Sequence, residues 1–283
     1  MNMTELPLPD ASTYQALQVS GLRAGVRFEG LDCLATEVPV ALEFNGVAHA
    51  VMMATPADLE DFAYGFALTE GIVDRAAQIH DCEWSRSDLG YTLQLTVAAS
   101  CFARLKEKRR NLTGRTGCGL CGTESLSQAV RQPAALQAGQ SFTASAVSSA
   151  VSSLRAHQSL LAVTGATHAA AWCSAQGQIE LIREDVGRHN ALDKLIGALV
   201  RERMAMNSGF VCVTSRASYE MVQKAACVGI SLLAAVSGAT ALAAEVAHKA
   251  GLTLLGFARG DDVSVYSHHE RFNLDNKQCT TTT

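Results

Sequence analysis

A mixed α/β architecture in two domains is what this 283-residue sequence predicts, from three features. The length exceeds the roughly 100–200 residues of an ordinary domain, so one large or two small domains are expected. The front carries a hairpin signal, then a helix signal and a further strand, which reads as a small α+β unit. The last third alternates short apolar runs with helical stretches and short links, the pattern of a parallel sheet with right-handed crossovers. Hydrophobic residues make up 48% and charged residues 18%, which excludes a disordered tail, a collagen and a disulfide-dense miniprotein. A formal net charge of -4, from 23 Lys and Arg against 27 Asp and Glu, argues against bulk electrostatic binding of nucleic acid.

Taken in order, Glu37 to Phe44 and Val47 to Met53 are apolar runs flanking Asn45-Gly46, a strong hairpin signal because both turn residues need φ > 0. Thr55-Pro56-Ala57-Asp58-Leu59-Glu60-Asp61-Phe62 reads as a helix start, with Thr55 as cap, Pro56 at the first helical position and acids in the first turn. Phe62, Phe66 and Leu68 supply its apolar face and Gly71 its end. Tyr91 to Val97 alternates polar and apolar residues as a strand does. From Arg104 to Arg115 six basic residues face a single acid, Glu107. That run is either a solvated face or a docking surface for an acidic partner or for phosphates. The stretch Gln132 to Ser153, rich in Ala, Gln and Ser, is the expected seam between domains.

Beyond the seam, Phe210 to Thr214, Ile230 to Val236 and Leu252 to Phe257 are expected strands, with helices over Ser218 to Val228 and Ala239 to Lys249 between them. The uncharged run Ala225 to Ala244 is long enough to cross a membrane. Its centre, with Gly229, Ser231, Ser237, Gly238 and Thr240, splits it into two elements, and buried structure is the better reading. Met1 to Pro9 shows no apolar leader. The expectation is a cytoplasmic protein with reduced thiols and no membrane partner.

In parallel sheets ligands bind outside the carboxyl ends of the strands. Three turns are expected there: Ser215-Arg216-Ala217, Ser237-Gly238-Ala239-Thr240 and Ala258-Arg259-Gly260-Asp261-Asp262. Two arginines, small residues and helix N-termini on one edge suit an anionic, phosphate-bearing ligand. Arg216 and Arg259 are its expected anion contacts, as buried arginines.

Cys118-Gly119-Leu120-Cys121 is the most chemically pointed motif. A zinc site needs two more ligands, and the other seven cysteines form no second pair, so no metal is expected. A thioredoxin-type pair would lie between a strand and a helix N-terminus, whereas Gly117, Gly119 and Gly122 make this backbone loose. A third reading makes one cysteine a thiolate that carries sulfur as a persulfide, favoured by the nearby Arg110 and Arg115. A pair that merely occupies a turn is the fourth.

A family resemblance joins these pieces. Glu37-Val38-Pro39-Val40, Met52-Met53-Ala54-Thr55-Pro56, Leu68-Thr69-Glu70-Gly71, the Cys118 to Gly122 motif, Thr164 to Ala170, Arg183 to Lys194, Thr214 to Met221 and Gly256 to Gly260 resemble, in order, the formate dehydrogenase accessory sulfurtransferases (FdhD). The match runs from about residue 35 to about residue 265. It implies a smaller N-terminal α+β domain over 1–125 that ends in a mobile Cys-x-x-Cys loop. The rest, 126–283, would be a cytidine-deaminase-like three-layer α/β domain that binds a cofactor. It implies an enzyme, a sulfur carrier that takes sulfur from a cysteine desulfurase as a persulfide on Cys118, with Cys121 its partner. The acceptor would be the molybdenum or tungsten bis-pyranopterin guanine dinucleotide, before formate dehydrogenase receives it. Phe257, Ala258, Arg259, Gly260, Asp261 and Asp262, with Ser215, Arg216 and His189, would hold that cofactor, and a homodimer is the family's expectation.

Deaminase chemistry needs His-x-Glu and Pro-Cys-x-x-Cys. The comparable places here read His168-Ala169-Ala170 and Ser215-Arg216-Ala217-Ser218, so a deaminase fold would be reused for binding. Three residues carry two readings each. His168, at an expected helix start, has a pocket-lining or capping role or else a catalytic one, the former preferred; Asp185 meets a guanine amine or caps through Asn190; His189, on one helix face with Asp193, meets ligand or makes a structural bond. A chaperone that binds and delivers the cofactor, with structural cysteines, is the rival reading.

Overall fold

The computed structural model describes residues 8–113 (108–113 by backbone alone), 133–136 and 140–274. The chain forms two compact units that interleave in sequence. One holds Met1–Arg131, Arg155–Ala169 and Arg183–Arg203; the other holds Gln132–Leu154, Ala170–Ile182 and Met204–Thr283. A single cut between 125 and 126 does not describe them, and the unit carrying the N-terminus is the larger, not the smaller. The cause is local: the helix after Gly187 packs on the first helix of the chain and stays with it.

In the first unit, strands β1 (Tyr14–Arg23) and β2 (Val26–Ala35) form a long antiparallel hairpin, an element the sequence did not announce. Strands β3 (Val38–Phe44) and β4 (Val47–Ala54) make the expected hairpin, with Asn45 at φ 49° and Gly46 at φ 75°. Strands β5 (Ile79–Ser87) and β6 (Gly90–Val97) complete a four-stranded sheet in the order β4-β3-β6-β5. Its inner face buries Val40, Leu42, Phe44, Leu93, Leu95 and Val97 at alternate positions. Helix α1 (Leu59–Thr69) buries Phe62, Ala63, Phe66 and Ala67. It starts later than the sequence suggests, with Asp58 at φ 53° in the N-cap place. Thr55 cannot cap it, because its N–H, hydroxyl and carbonyl are all taken by residues beyond 180.

Helix α2 (Ala99–Thr113) carries the start of the basic run; Arg104 pairs with Asp74 at 2.9 Å, and the Lys106 ammonium lies 4.3 Å from the centre of the Phe102 ring.

In the second unit, the stretch expected as a seam instead contains β7 (Phe142–Thr143) and helix α3 (Ala144–Leu154). The alanines that suggested a linker, Ala146 and Ala150, pack with Val147 and Leu154 into the core. Short helix α4 (Ser159–Thr164), in the first unit, ends at Gly165 in the left-handed conformation, so His168 opens strand β8 (His168–Ser174) and not a helix. With β9 (Ile179–Asp185), β10 (Gly209–Val213), β11 (Leu232–Ala235), β12 (Thr253–Arg259) and β13 (Asp262–Val265), it makes a six-stranded sheet ordered β13-β12-β11-β10-β8-β9. β10, β11 and β12 run parallel, linked by α6 (Tyr219–Cys227) and α7 (Ala241–Ala250), within two residues of the expected bounds at each end. Helix α5 (Arg188–Arg201) belongs to the first unit.

Residues on both faces of the parallel strands are buried, as such strands require. Cys212, Leu232, Ala234 and Leu255 meet α3 and Phe142 in one cluster, while Val211, Val213, Leu233 and Leu254 on the other face are equally closed off. The run 225–244 resolves into the end of α6, β11 and the start of α7. Among the described residues no helix is long and apolar enough to cross a membrane.

Candidate functional site

The carboxyl ends of β10, β11 and β12 come together as the strand pattern requires. The turn after β10 is tied to the turn after β11 by Ala217 N–H donating to the Gly238 carbonyl at 3.2 Å and Thr240 N–H to the Ala217 carbonyl at 3.1 Å. The turn after β11 is tied to β12 by Phe257 N–H donating to the Ser237 carbonyl at 3.1 Å. The three predicted turns therefore form one continuous rim within the second unit.

Phe257 is its most unusual residue. It sits at φ 51° in an irregularity of the β12–β13 ladder between Gly256 and Arg259. A non-glycine residue there costs roughly 1–2 kcal/mol, and bulges of this kind re-aim a side chain. The ring is 48% exposed and lies against Gly238, where an added Cβ would come within 2.9 Å of it. Arg259 donates its Nε to the Val236 carbonyl at 2.9 Å, which fixes the stem of the side chain and leaves the guanidinium end exposed. Gly260, at φ 54°, has open space around it, and Asp261 and Asp262 are exposed.

Two expectations are corrected here. Arg216 and Arg259 are exposed, not buried. Ala258 is 2% exposed and points into the core, so only its backbone faces the rim. Ser215 is 6% exposed and its hydroxyl donates to the Arg216 carbonyl at 3.0 Å, a turn-stabilising role. Sequence reasoning passed over Ser218. It stands at the N-cap of α6 without capping it, and its hydroxyl is buried with no hydrogen-bond partner among the described residues. A Ser directly before a helical pattern after a strand was the available signal.

The segment Arg183 to Lys194 lies in the first unit, and its charged residues except Arg188 are spent internally; Arg188 Nε is buried with no hydrogen-bond partner among the described residues. Asp185 is fully buried: Oδ1 accepts from Gly187 N–H (2.8 Å) and Asn190 Nδ2 (3.0 Å), while Oδ2 accepts from Thr55 N–H (3.0 Å) and pairs with Lys194 Nζ (2.7 Å). Asp185 thus has no face for a guanine; it bonds Asn190, but no side chain caps α5, whose N-cap is Gly187. Glu184 accepts from the N–H groups of Leu160 and Leu161 at the start of α4, both at 2.9 Å. Arg183 and Arg201 both grip the carboxylate of Asp61. Asp193 accepts from the Thr69 hydroxyl at 2.7 Å. His189, on α5, belongs to this unit and not to the one that carries the rim. His168 is held below the ordinary histidine range, first by burial and then by the Arg188 charge, with Asp185 opposing.

Helices α1 and α5 lie antiparallel at very close range. A Cβ on Gly65 would fall 1.7 Å from the Asp193 carbonyl oxygen, and one on Gly197 would fall 1.8 Å from that of Asp61. Only glycine permits that approach.

Cys118, Cys121 and Arg115 lie outside the described residues, and Arg110 is described by its backbone alone. Among the described residues no three His, Cys, Asp or Glu side chains stand together to hold a metal. Of the described cysteines, Cys173 and Cys212 are buried side by side in the second core, and the hydrogen bond between them, with burial, pushes the Cys212 thiol well up. Cys82 is pushed up to about 12, chiefly by burial. Neither is a nucleophile in waiting.

Comparison with known proteins places the chain. The FdhD/NarQ family matches residues 35–273. The chain belongs to the FdhD/NarQ family. Its relatives include proteins named sulfur carrier protein FdhD from Variovorax paradoxus, 54% identical over 96% of this chain and 98% of that one, and from Cupriavidus necator, 53% identical over 92% of this chain and 90% of that one. A crystal structure of a protein from Desulfotalea psychrophila, classed with formate dehydrogenase accessory proteins, superposes with a TM-score of 0.71 over 92% of this chain and 99% of its own, at 23% identity, and so shares the fold. The family match begins at residue 35, the last residue of the β1–β2 hairpin.

Proposed function

We propose that this FdhD/NarQ protein is a sulfur carrier of formate dehydrogenase maturation, with Cys118 as the persulfide-bearing residue and the rim of the second unit as the seat of its acceptor. The acceptor is a bis-pyranopterin guanine dinucleotide of molybdenum or tungsten, written here as substrate. The observation that carries the acceptor half is the rim itself: an exposed, strained Phe257 beside two arginine-bearing turns and a buried Ser218 hydroxyl with no partner among the described residues.

Each rim group has work that fits a guanine dinucleotide. The Phe257 ring offers a stacking face to a base. Asp261 and Asp262 offer carboxylates to the ring N–H and amino donors of guanine, a charge-assisted match. Arg216 and Arg259 match phosphate oxygens, and the N-termini of α6 and α7 add favourable dipoles. The Ser218 hydroxyl supplies one more donor. The deaminase-like description of this unit is part of the same proposal and rests on the strand order and crossover pattern.

The transfer follows thiol–disulfide exchange. The Cys118 thiolate attacks the terminal sulfur of a donor persulfide on a cysteine desulfurase. The new Cys118 S–S bond forms as the donor's S–S bond breaks, and the donor cysteine leaves as thiolate. Cys121 then attacks the Cys118 sulfur, forming a Cys118–Cys121 disulfide and releasing hydrosulfide to the acceptor; a cellular dithiol reduces the pair for the next turn. The rival, a delivery chaperone with structural cysteines, differs in one outcome. In cells lacking their own copy, Cys118→Ala abolishes formate dehydrogenase activity if sulfur transfer is the function, and restored activity contradicts it. The acceptor half is tested separately with GDP as probe: Arg259→Ala weakens its binding at least about tenfold, and unchanged binding removes the rim from the proposal.

A further inference from the structure

The first unit carries a second recessed site that sulfur transfer does not use. Where the inner face of the four-stranded sheet runs past the start of α1, a cleft of about 600 Å³ opens. Trp84 and Tyr91 form one wall. Trp84 stands opposite Leu93 in the β5–β6 ladder and so shares the core-facing side of the sheet with that fully buried leucine, yet it is 51% exposed. The two rings are 5.7 Å apart at 52°. A large aromatic pair left uncovered on the core side of a sheet is the form of a contact surface.

The charge of the cleft sets the sign of its partner. Four carboxylates line it, Asp10, Asp58, Glu60 and Asp61, against two arginines, Arg183 and Arg201. Asp61 is consumed by both arginines and Glu60 by Arg201. Asp58 makes a looser ion pair with Arg183 at 3.5 Å, and Asp10 accepts the N–H of Ser12. The lining therefore carries an excess of two negative charges, one of which the Arg86 guanidinium beside the aromatic wall offsets. The same ring already takes a guanidinium within the chain: the Arg86 head lies 5.8 Å from the centre of Tyr91. Cation–π contact favours arginine over lysine, because the planar guanidinium stacks and is weakly hydrated.

The form of the partner follows from β5. It is the edge strand of its sheet, and from His80 to Ser87 every residue but Cys82 is exposed. An edge strand presents unpaired backbone groups that an extended chain can join. Asp81 and Glu83 on that strand add to the negative field.

We propose that this cleft is a docking site for an extended, arginine-bearing segment of a partner protein, which pairs with the free edge of β5 and places a guanidinium against Trp84 within reach of Asp58 and Asp10. This stands apart from the sulfur-transfer reading, and neither depends on the other.

The test uses the full-length protein and a fluorescein-labelled octapeptide alternating valine and arginine, with fluorescence anisotropy as readout. The arginine peptide binds, and a glutamate counterpart does not. Trp84→Ala and Asp58→Asn each weaken binding at least about fivefold, with circular dichroism confirming the fold; Trp84→Leu replaces the first if it unfolds. The peptide also shifts tryptophan emission in the wild type, and the shift is lost with Trp84, since the other tryptophan, Trp172, is fully buried. Equal affinity across the variants overturns the proposal, as does equal binding of the glutamate peptide. Free arginine that competes as well as the peptide overturns it in favour of a small-molecule pocket.

Discussion

Lys194→Met removes one half of a fully buried ion pair and offers a sharp test of how the Arg183 to Lys194 segment works. The Lys194 ammonium sits 2.7 Å from Asp185 Oδ2 and also donates to the Thr55 carbonyl at 2.9 Å, with both charged side chains wholly shut off from solvent. Removing the cation leaves a buried carboxylate with hydrogen bonds but no counter-charge, a change that costs about 3–5 kcal/mol. That is a large share of the roughly 5–15 kcal/mol that holds a domain together. The double variant Asp185→Asn with Lys194→Met removes both charges. Asn keeps one acceptor oxygen for the donors of Gly187 and Asn190 but strands the Thr55 N–H, so its expected cost is about 1–3 kcal/mol. The double variant is therefore more stable than the single one. Urea unfolding followed by circular dichroism measures both, and hydrogen exchange across 59–69 and 188–201 localises the loss to the first unit. A Lys194→Met protein within 1 kcal/mol of wild type, taken as roughly the cost of an ordinary hydrogen bond, refutes the reasoning. So does a double variant no better than the single.

Three further outcomes follow from the same geometry. Gly65→Ala pushes a methyl into the Asp193 carbonyl and should cost about 3 kcal/mol, whereas Gly30→Ala, with open space and ordinary φ, should change the urea midpoint negligibly. Cys82, pushed up to about 12 from an ordinary 9.0, holds about a thousandfold less thiolate near pH 8, so peptide mass spectrometry should find it alkylated far more slowly than exposed Cys227. For His168 the folded protein disfavours the charged ring, so the unfolded chain binds more protons; stability is fully present above the ordinary value of 6.5 and is lost as the pH falls through the lower folded value. Thermal midpoints from pH 8 to pH 5 should fall less steeply for His168→Gln than for wild type, and parallel curves would contradict this sign.

The parallel strands and their helices were legible because buried strands and short amphipathic helices leave separable patterns in sequence. The Asn45-Gly46 turn was legible because two consecutive positive φ values demand such residues. Thr55 misled for a physical reason: a residue whose backbone and side chain are claimed by tertiary partners cannot also cap a helix, and those partners lie about 130 residues away in sequence. Ala146 and Ala150 misled because alanine suits both a linker and a tightly packed helix face, and only the opposing core decides. The three turns were foreseen at the carboxyl ends of the parallel strands, but the exposure of Arg216 and Arg259 was not, since a side chain's burial in a turn depends on tertiary packing that composition does not encode. His189 was grouped with the rim from motif chemistry, while its helix is carried by the other unit. Asp185 carried a ligand reading beside a structural one, and with Asn190 and Lys194 it proved to be an internal brace, which only the tertiary partners of the segment decide.

The carrier proposal rests most directly on one thiol. Intact-protein mass spectrometry after incubation with a cysteine desulfurase and cysteine, on wild type, Cys118→Ala and Cys121→Ala, measures it. The account predicts gain of a sulfur atom that reductant removes, present in wild type and Cys121→Ala and absent in Cys118→Ala. No added sulfur on any of the three, or the same gain without Cys118, would contradict it.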